Sequence, residues 1–311
     1  EYTSNLLEHT ATNFYTCISL GGFLAASLLL KLTDSHFLQG ICMLVAGLDT
    51  DTNTDHTDID SFCNAKTAMT TITTALTLSK NFNIDDFTTN KLEAYLSKLG
   101  IDGPTHNTIL SNLGRNSSLA NKGLALKLYP CPSSSHECIE CILQLLQVYD
   151  FNYQDINSVE IKVPSRTIKE LNCDTPKTEF ELRKSLPFIA ASTLIYGQPL
   201  IEQFSPDNFH DNAIKDCMNK ITVSENTGLS SVTPRSTQVS ITLISGQNLK
   251  TTVEFAQGTA EVPLDITELE AKFLYCSRYI LPPDHIEGAI YQIGNLENIH
   301  DITGLVSILG G

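Results

Sequence analysis

The stretch KLYPCPSSSHECIEC, residues 127–141, decides how the rest of the chain is read. Helical patterns precede it and the first clear strand patterns follow it. Pro130 and Pro132 each fix a backbone φ, so the turn between Lys127 and His136 is stiff and presents its side chains in a set geometry. His136 opens an amphipathic helix predicted over 137–148. Ser133, Ser134 and Ser135 are of the residue type that caps a helix start. A helix N-terminus with a lysine and a histidine beside it suits an anion. The same residues also read as a domain-linking turn with a solvated lysine and a capping serine, and from this stretch alone both readings stand.

Composition narrows the partners. A chain of 311 residues is long enough for two domains with a full core. With 41% hydrophobic and 18% charged residues it has ordinary globular composition. Its 20 basic and 35 acidic residues leave a net charge of −15, which argues against nucleic acid or an anionic membrane as partner. In so acidic a chain a site for an anion must concentrate the few positive groups, and Lys127, His136 and Arg183 are the candidates. The nine cysteines have no framework spacing, which favours a reducing, intracellular compartment, mitochondrial or cytoplasmic. The longest apolar run, residues 17–30, is too short to span a bilayer and is followed by Lys31. Its Gly-Gly and Ala-Ala pairs suit close helix packing. The chain begins at Glu1 without a methionine and reads as a fragment or a processed product.

Taken in order, residues 13–32 and 36–47 read as helices. A polar segment follows, DTDTNTDHTDID, residues 49–60. Asp49, Asp51, Asn53 and Asp60 stand near EF-hand spacing, but Thr54 replaces the sharp-turn glycine and the last position is not Glu, so a solvated loop is expected and no calcium. Helices are predicted over 65–80 and 87–99, and a linker over 104–123. The segment 158–164 alternates as a strand. Residues 178–196 read as one helix. Residues 237–256 read as a hairpin turning at Ser245-Gly246-Gln247-Asn248. Helices return over 265–279, 283–293 and 302–309. A helical start and end around an α+β middle predicts an all-helical domain built from both chain ends, 1–123 with 262–311, and an inserted α+β lid over 124–261.

Several segments, in this order, carry a resemblance to a known family. They are EHTATNFYTCISLGGFLAASLLLKL (8–32), the 127–141 stretch, TEFELRKSLPFIAASTLIYGQPL (178–200), GTAEVPLDITELEAKF (258–273) and NLENIHDITGLVSIL (295–309). Together they resemble the MmgE/PrpD family of 2-methylcitrate dehydratases and itaconate-forming cis-aconitate decarboxylases. The tail is most similar to the animal-type decarboxylases. The resemblance implies a homodimer and a cofactor-free, metal-free lyase acting on a small polycarboxylate, like cis-aconitate decarboxylase. Alternatives on the same scaffold are a 2-methylcitrate dehydratase or an epimerase, and a catalytically inactive member serving as an interaction protein.

Such chemistry needs cations to hold carboxylates and a proton donor or acceptor near carbon. By resemblance, His9, Lys127 and His136 are the catalytic candidates, and Lys66 and Arg183 bind substrate. From its spacing alone, Arg183 pairs equally well with Glu179 four residues earlier on a helix. Three positions depart from the family pattern. Asp60 stands where a pocket lysine belongs, Cys63 where a histidine belongs, and Phe188 where an aromatic hydroxyl belongs. A competing zinc reading of Cys131, His136, Cys138 and Cys141 is set against their placement in a proline turn and on a helix, where buried thiols are expected.

Overall fold

The computed structural model describes residues 14–46, 57–82, 124–226 and 236–310. The chain divides into two units, Glu1–Ser117 and Ser118–Gly311, and each is described by itself. His9, the predicted helix over 87–99, the linker over 104–123 and most of the 49–60 loop lie outside the described residues.

In the first unit, α1 (Phe14–Leu29), α2 (Asp34–Ala46) and α3 (Thr57–Ser79) pack on one another. Of the Gly-Gly pair, only Gly22 is at a close helix contact, and a Cβ on Gly21 would meet nothing within 4 Å. At Gly22, α1 runs so close to α3 that an added Cβ would stand 3.2 Å from Thr71 Cγ2. Gly40 of α2 leaves room for the Phe23 ring, which a Cβ there would overlap. Phe23, Leu44, Ala75 and Leu78 form the buried centre. Helix α3 starts eight residues earlier than the predicted 65, because the polar 57–64 segment continues the helix instead of ending a loop.

The second unit is built on a four-stranded sheet in the order β2-β1-β3-β4. It opens with α4 (His136–Val148), whose Cys138, Ile139, Cys141, Ile142 and Leu145 form one buried stripe at helical spacing. That stripe lies on β3 (Thr237–Leu243) and β4 (Asn248–Val253). Strand β1 (Ile156–Val163) buries Ile156, Val159, Ile161 and Val163. Ile156 and Val159 are three apart, which strict alternation would put on opposite faces. A register shift between Ile156 and Ser158 against β3 corrects this.

Between β1 and its parallel neighbour β2 (Ile221–Glu225) run five helices. They are α5 (Ser165–Glu170), α6 (Glu179–Arg183), α7 (Leu186–Tyr196), α8 (Pro206–Phe209) and α9 (Asn212–Met218). The predicted single helix over 178–196 is two. Pro187 has no N–H to continue the hydrogen-bond ladder, so the chain breaks at Lys184-Ser185. The Ser185 hydroxyl then accepts from the Phe188 amide at 3.4 Å and starts α7 anew. Helix α7 is buried on nearly every side and packs against α4, α9 and β2.

The β3–β4 hairpin forms where predicted, its turn closed by the Gly246 amide donating to the Leu243 carbonyl at 2.9 Å with Gly246 at φ +85°. Helices α10 (Ile266–Ser277), α11 (Pro283–Gly294) and α12 (Thr303–Leu309) then pack each on the next. The result is a helix-rich fold with one small mixed sheet. Among the described residues no helix is long and apolar enough to cross a membrane.

Candidate functional site

The proline turn carries its residues onto the start of α4. Residues 124–127 form an exposed strap ahead of it. The Leu126 amide donates to the Gly258 carbonyl at 2.7 Å, and the Lys272 ammonium of α10 donates to the Lys127 carbonyl. Lys127 itself is exposed, and among the described residues its ammonium has no carboxylate partner.

Pro130 and Pro132 turn the chain inward, and Tyr129 and Cys131 are buried. Ser133–Ser135 form a 3-10 turn that leads into α4. The expectation that these serines cap the helix fails. Ser135 stands at the cap position, but its hydroxyl donates backwards, to the Pro132 carbonyl at 2.7 Å and the Cys131 sulfur at 3.1 Å. The proline turn leaves that carbonyl within closer reach than the helix amides.

His136 is only 4% exposed and meets the Tyr129 ring edge-on, centroids 5.2 Å apart. Its Nε2 is buried without a hydrogen-bond partner. Burial first, then the nearby Lys127 charge and more weakly that of Lys272, push its pKa down to about 4, while hydrogen bonds to the backbone at Tyr129 and Cys131 pull it back. His136 is therefore neutral near pH 7. The expectation that it adds positive charge to a carboxylate pocket is overturned by its burial. What it offers is a neutral imidazole, competent to take or relay a proton. Burial, with Glu140 and Cys131 behind it, raises the Tyr129 hydroxyl to about 12, so it keeps its proton.

Arg183 belongs to the same neighbourhood. Burial pushes the Cys131 thiol up to about 11, against the Ser135 hydrogen bond and the weaker pulls of Lys127 and Arg183. The Arg183 guanidinium is paired with Glu179, as the four-residue spacing predicts, and its Nε is buried without a partner. Cys138 and Cys141 are fully buried, and burial raises both thiols, Cys141 to about 12. The Cys141 thiol donates to the Thr237 carbonyl at 3.5 Å. Among the described residues no three His, Cys, Asp or Glu side chains are grouped to hold a metal.

Phe188 is a core ring with no exposure, its centroid 5.9 Å from that of Phe204. Lys66, Asp60 and Cys63 all lie on α3 of the first unit, where Lys66 is exposed. The second unit by itself thus brings together Lys127, His136 and Arg183. It adds two groups that sequence reasoning did not single out, Lys272 and Tyr129. Lys272 was visible only as a letter in the 258–273 segment, since nothing in a helix sequence says which distant carbonyl a lysine will reach.

An ammonium without a carboxylate partner among the described residues, a buried neutral imidazole and a protonated phenol thus lie near one another at the start of α4. The pattern of the MmgE/PrpD C-terminal domain matches residues 129–296, which run from this turn through the sheet to the end of α11. Over 157 residues the chain is 24% identical to cis-aconitate decarboxylase of Homo sapiens, covering 50% of this chain and 32% of that protein. The matched segment therefore spans about a third of that relative's length. Because the C-terminal domain pattern accounts for more than half of the chain and takes in the turn from Tyr129 to His136, this protein belongs to the MmgE/PrpD family.

Proposed function

We propose that the protein is a cofactor-free lyase acting on a small polycarboxylate, in the manner of a cis-aconitate decarboxylase. One observation carries the reading. In a chain with a net charge of −15, the ammonium of Lys127, which has no carboxylate partner among the described residues, stands close enough to depress the buried imidazole of His136, whose Nε2 has no hydrogen-bond partner. Lys127 would hold a carboxylate, His136 would accept or return the proton at carbon, and Arg183, partly committed to Glu179, would tune the pocket's charge. By the resemblance, His9 is proposed as a further catalytic residue and Lys66 as a further substrate-binding one. The division into a helical domain, 1–123 with 262–311, and an α+β lid domain, 124–261, belongs to the same proposal.

Calorimetry with cis-aconitate and citrate tests it. Lys127→Ala removes a charge-assisted contact, and because Lys127 is exposed the loss falls at the low end for such contacts, about tenfold in Kd. His136→Gln should change Kd less than about threefold while abolishing most turnover, because a neutral ring contributes little to holding an anion but much to moving a proton. Release of carbon dioxide from cis-aconitate marks a decarboxylase, and interconversion with a hydroxy acid marks a dehydratase. Absence of binding at millimolar ligand would sink both.

The inactive-member reading has one observation of its own. Phe188, where the family pattern has an aromatic hydroxyl, is an enclosed core ring and supplies no donor. Binding without turnover of any tested polycarboxylate would favour it.

The working unit is proposed to be a homodimer. The helices of the first unit leave Leu24, Leu28, Phe62, Met69 and Ile72 exposed, more apolar surface than a lone helical layer keeps in water. Sedimentation should show a dimer at micromolar concentration; a monomer alone would refute it.

A further inference from the structure

We propose that Lys272 is a positioning residue for Lys127, acting with Gly258 as a two-point clamp on the 124–127 strap. The strap has little else to hold it. All four of its residues are exposed, Leu124 at 64% and Leu126 at 38%, so apolar burial, chiefly of Leu126, holds it only in part. Two polar contacts remain, and they fall on neighbouring residues: the Leu126 amide to the Gly258 carbonyl at 2.7 Å, and the Lys272 ammonium to the Lys127 carbonyl.

Short-range contacts join the two points of the clamp. Gly258 sits at φ +92°, where only glycine is unstrained, and a Cβ there would overlap the Leu126 carbonyl oxygen. Its own amide donates to the Val262 carbonyl at 2.8 Å, closing the loop on itself. Gln257 next door donates to Glu268, and Glu268 with Asp265 forms the capping box that starts α10. Lys272 follows Glu268 by one helical turn, so loop and lysine move together.

Lys272 is more than an anchor. Among the described residues it has no carboxylate partner, and its charge reaches His136. An anchor alone would be served by a neutral amide. The clamp sets a second unpaired ammonium beside Lys127 and a neutral imidazole, an arrangement that an anion relieves. Its role in substrate binding rests on the polycarboxylate reading; its role in holding the strap does not.

The test uses the full chain and three readouts: hydrogen exchange at the Leu126 amide, the ring titration of His136 by NMR, and citrate calorimetry. The charged groups facing His136 are Lys127 from the strap and Lys272 from α10, with Tyr129 and Cys131 of the turn as backbone partners. Lys272→Met should speed Leu126 exchange about three- to tenfold, raise the His136 pKa from about 4, and weaken citrate binding about as much as Lys127→Ala. Lys272→Arg should restore all three. Gly258→Ala, with Lys272 intact, should speed the same amide and weaken citrate by displacing the strap. Unchanged Leu126 exchange in Lys272→Met overturns the clamp. If wild type binds no citrate, the polycarboxylate reading falls, and exchange and titration still decide the clamp.

Discussion

Truncating Phe188 to alanine is expected to cost about 3–5 kcal/mol of unfolding free energy, the range for deleting a fully enclosed aromatic ring. The ring sits in the first turn of α7, a helix whose residues from Phe188 to Leu194 are all buried. Phe204 from the following 3-10 turn tilts against it at 56°. Helices α4 and α9 and strand β2 close around α7, so the walls are secondary structure and cannot collapse into a gap cheaply. Phe188→Leu, which keeps most of the volume, should cost about 1–1.5 kcal/mol. Guanidinium unfolding followed by far-UV circular dichroism is the suitable measurement, because the chain contains no tryptophan. A loss below about 1 kcal/mol for the alanine variant would mean that the ring does not close the core.

Much of this architecture was legible because it rests on periodicity. The α4 stripe, the β1 alternation, the β3–β4 hairpin and the three C-terminal helices repeat a short spacing that a sequence displays directly. What was not legible depends on contacts distant in sequence. Strand β2 is five residues of ITVSE, too short and too polar to show alternation, and it exists because β1 offers it a parallel edge. The break before α7 was present in the letters as Ser185 and Pro187, but the small and apolar residues after them read as one continuous helix. The site divides the same way. Lys127, His136 and Arg183 were singled out as candidate cations by residue type and by the resemblance, and the Arg183–Glu179 pair was legible from the four-residue interval. The protonation state of His136 was not, because burial, which sets it, is a property of the fold. Nor was Lys272, whose carbonyl partner lies 145 residues away.

Acidification should therefore expose His136 as a stability switch. In the unfolded chain its pKa is the ordinary 6.5, and in the folded protein it is pushed down to about 4. Between these values the unfolded state binds a proton that the folded state refuses, so stability rises with pH across the interval and falls as pH drops through it. Above about 6.5 the stabilising contribution is complete; below about 4 it is gone. The full excursion is worth about 3 kcal/mol. Discounting for solvent is small, since the ring is 4% exposed. Glu202 works in a lower window. Hydrogen bonds from Tyr275 and Tyr279 hold its carboxyl down at about 2, so its contribution is present above 4.5 and is lost as pH falls from there toward 2. The two effects overlap only at the edge. The difference in unfolding free energy between wild type and His136→Gln, followed from pH 7 to 4, isolates the imidazole from the remaining carboxylates and histidines. That difference should shrink by about 3 kcal/mol over the interval, and the ring resonances of wild type should titrate near 4. A difference independent of pH, or a ring that titrates near 6.5, would place His136 in solvent and return it to service as a cation.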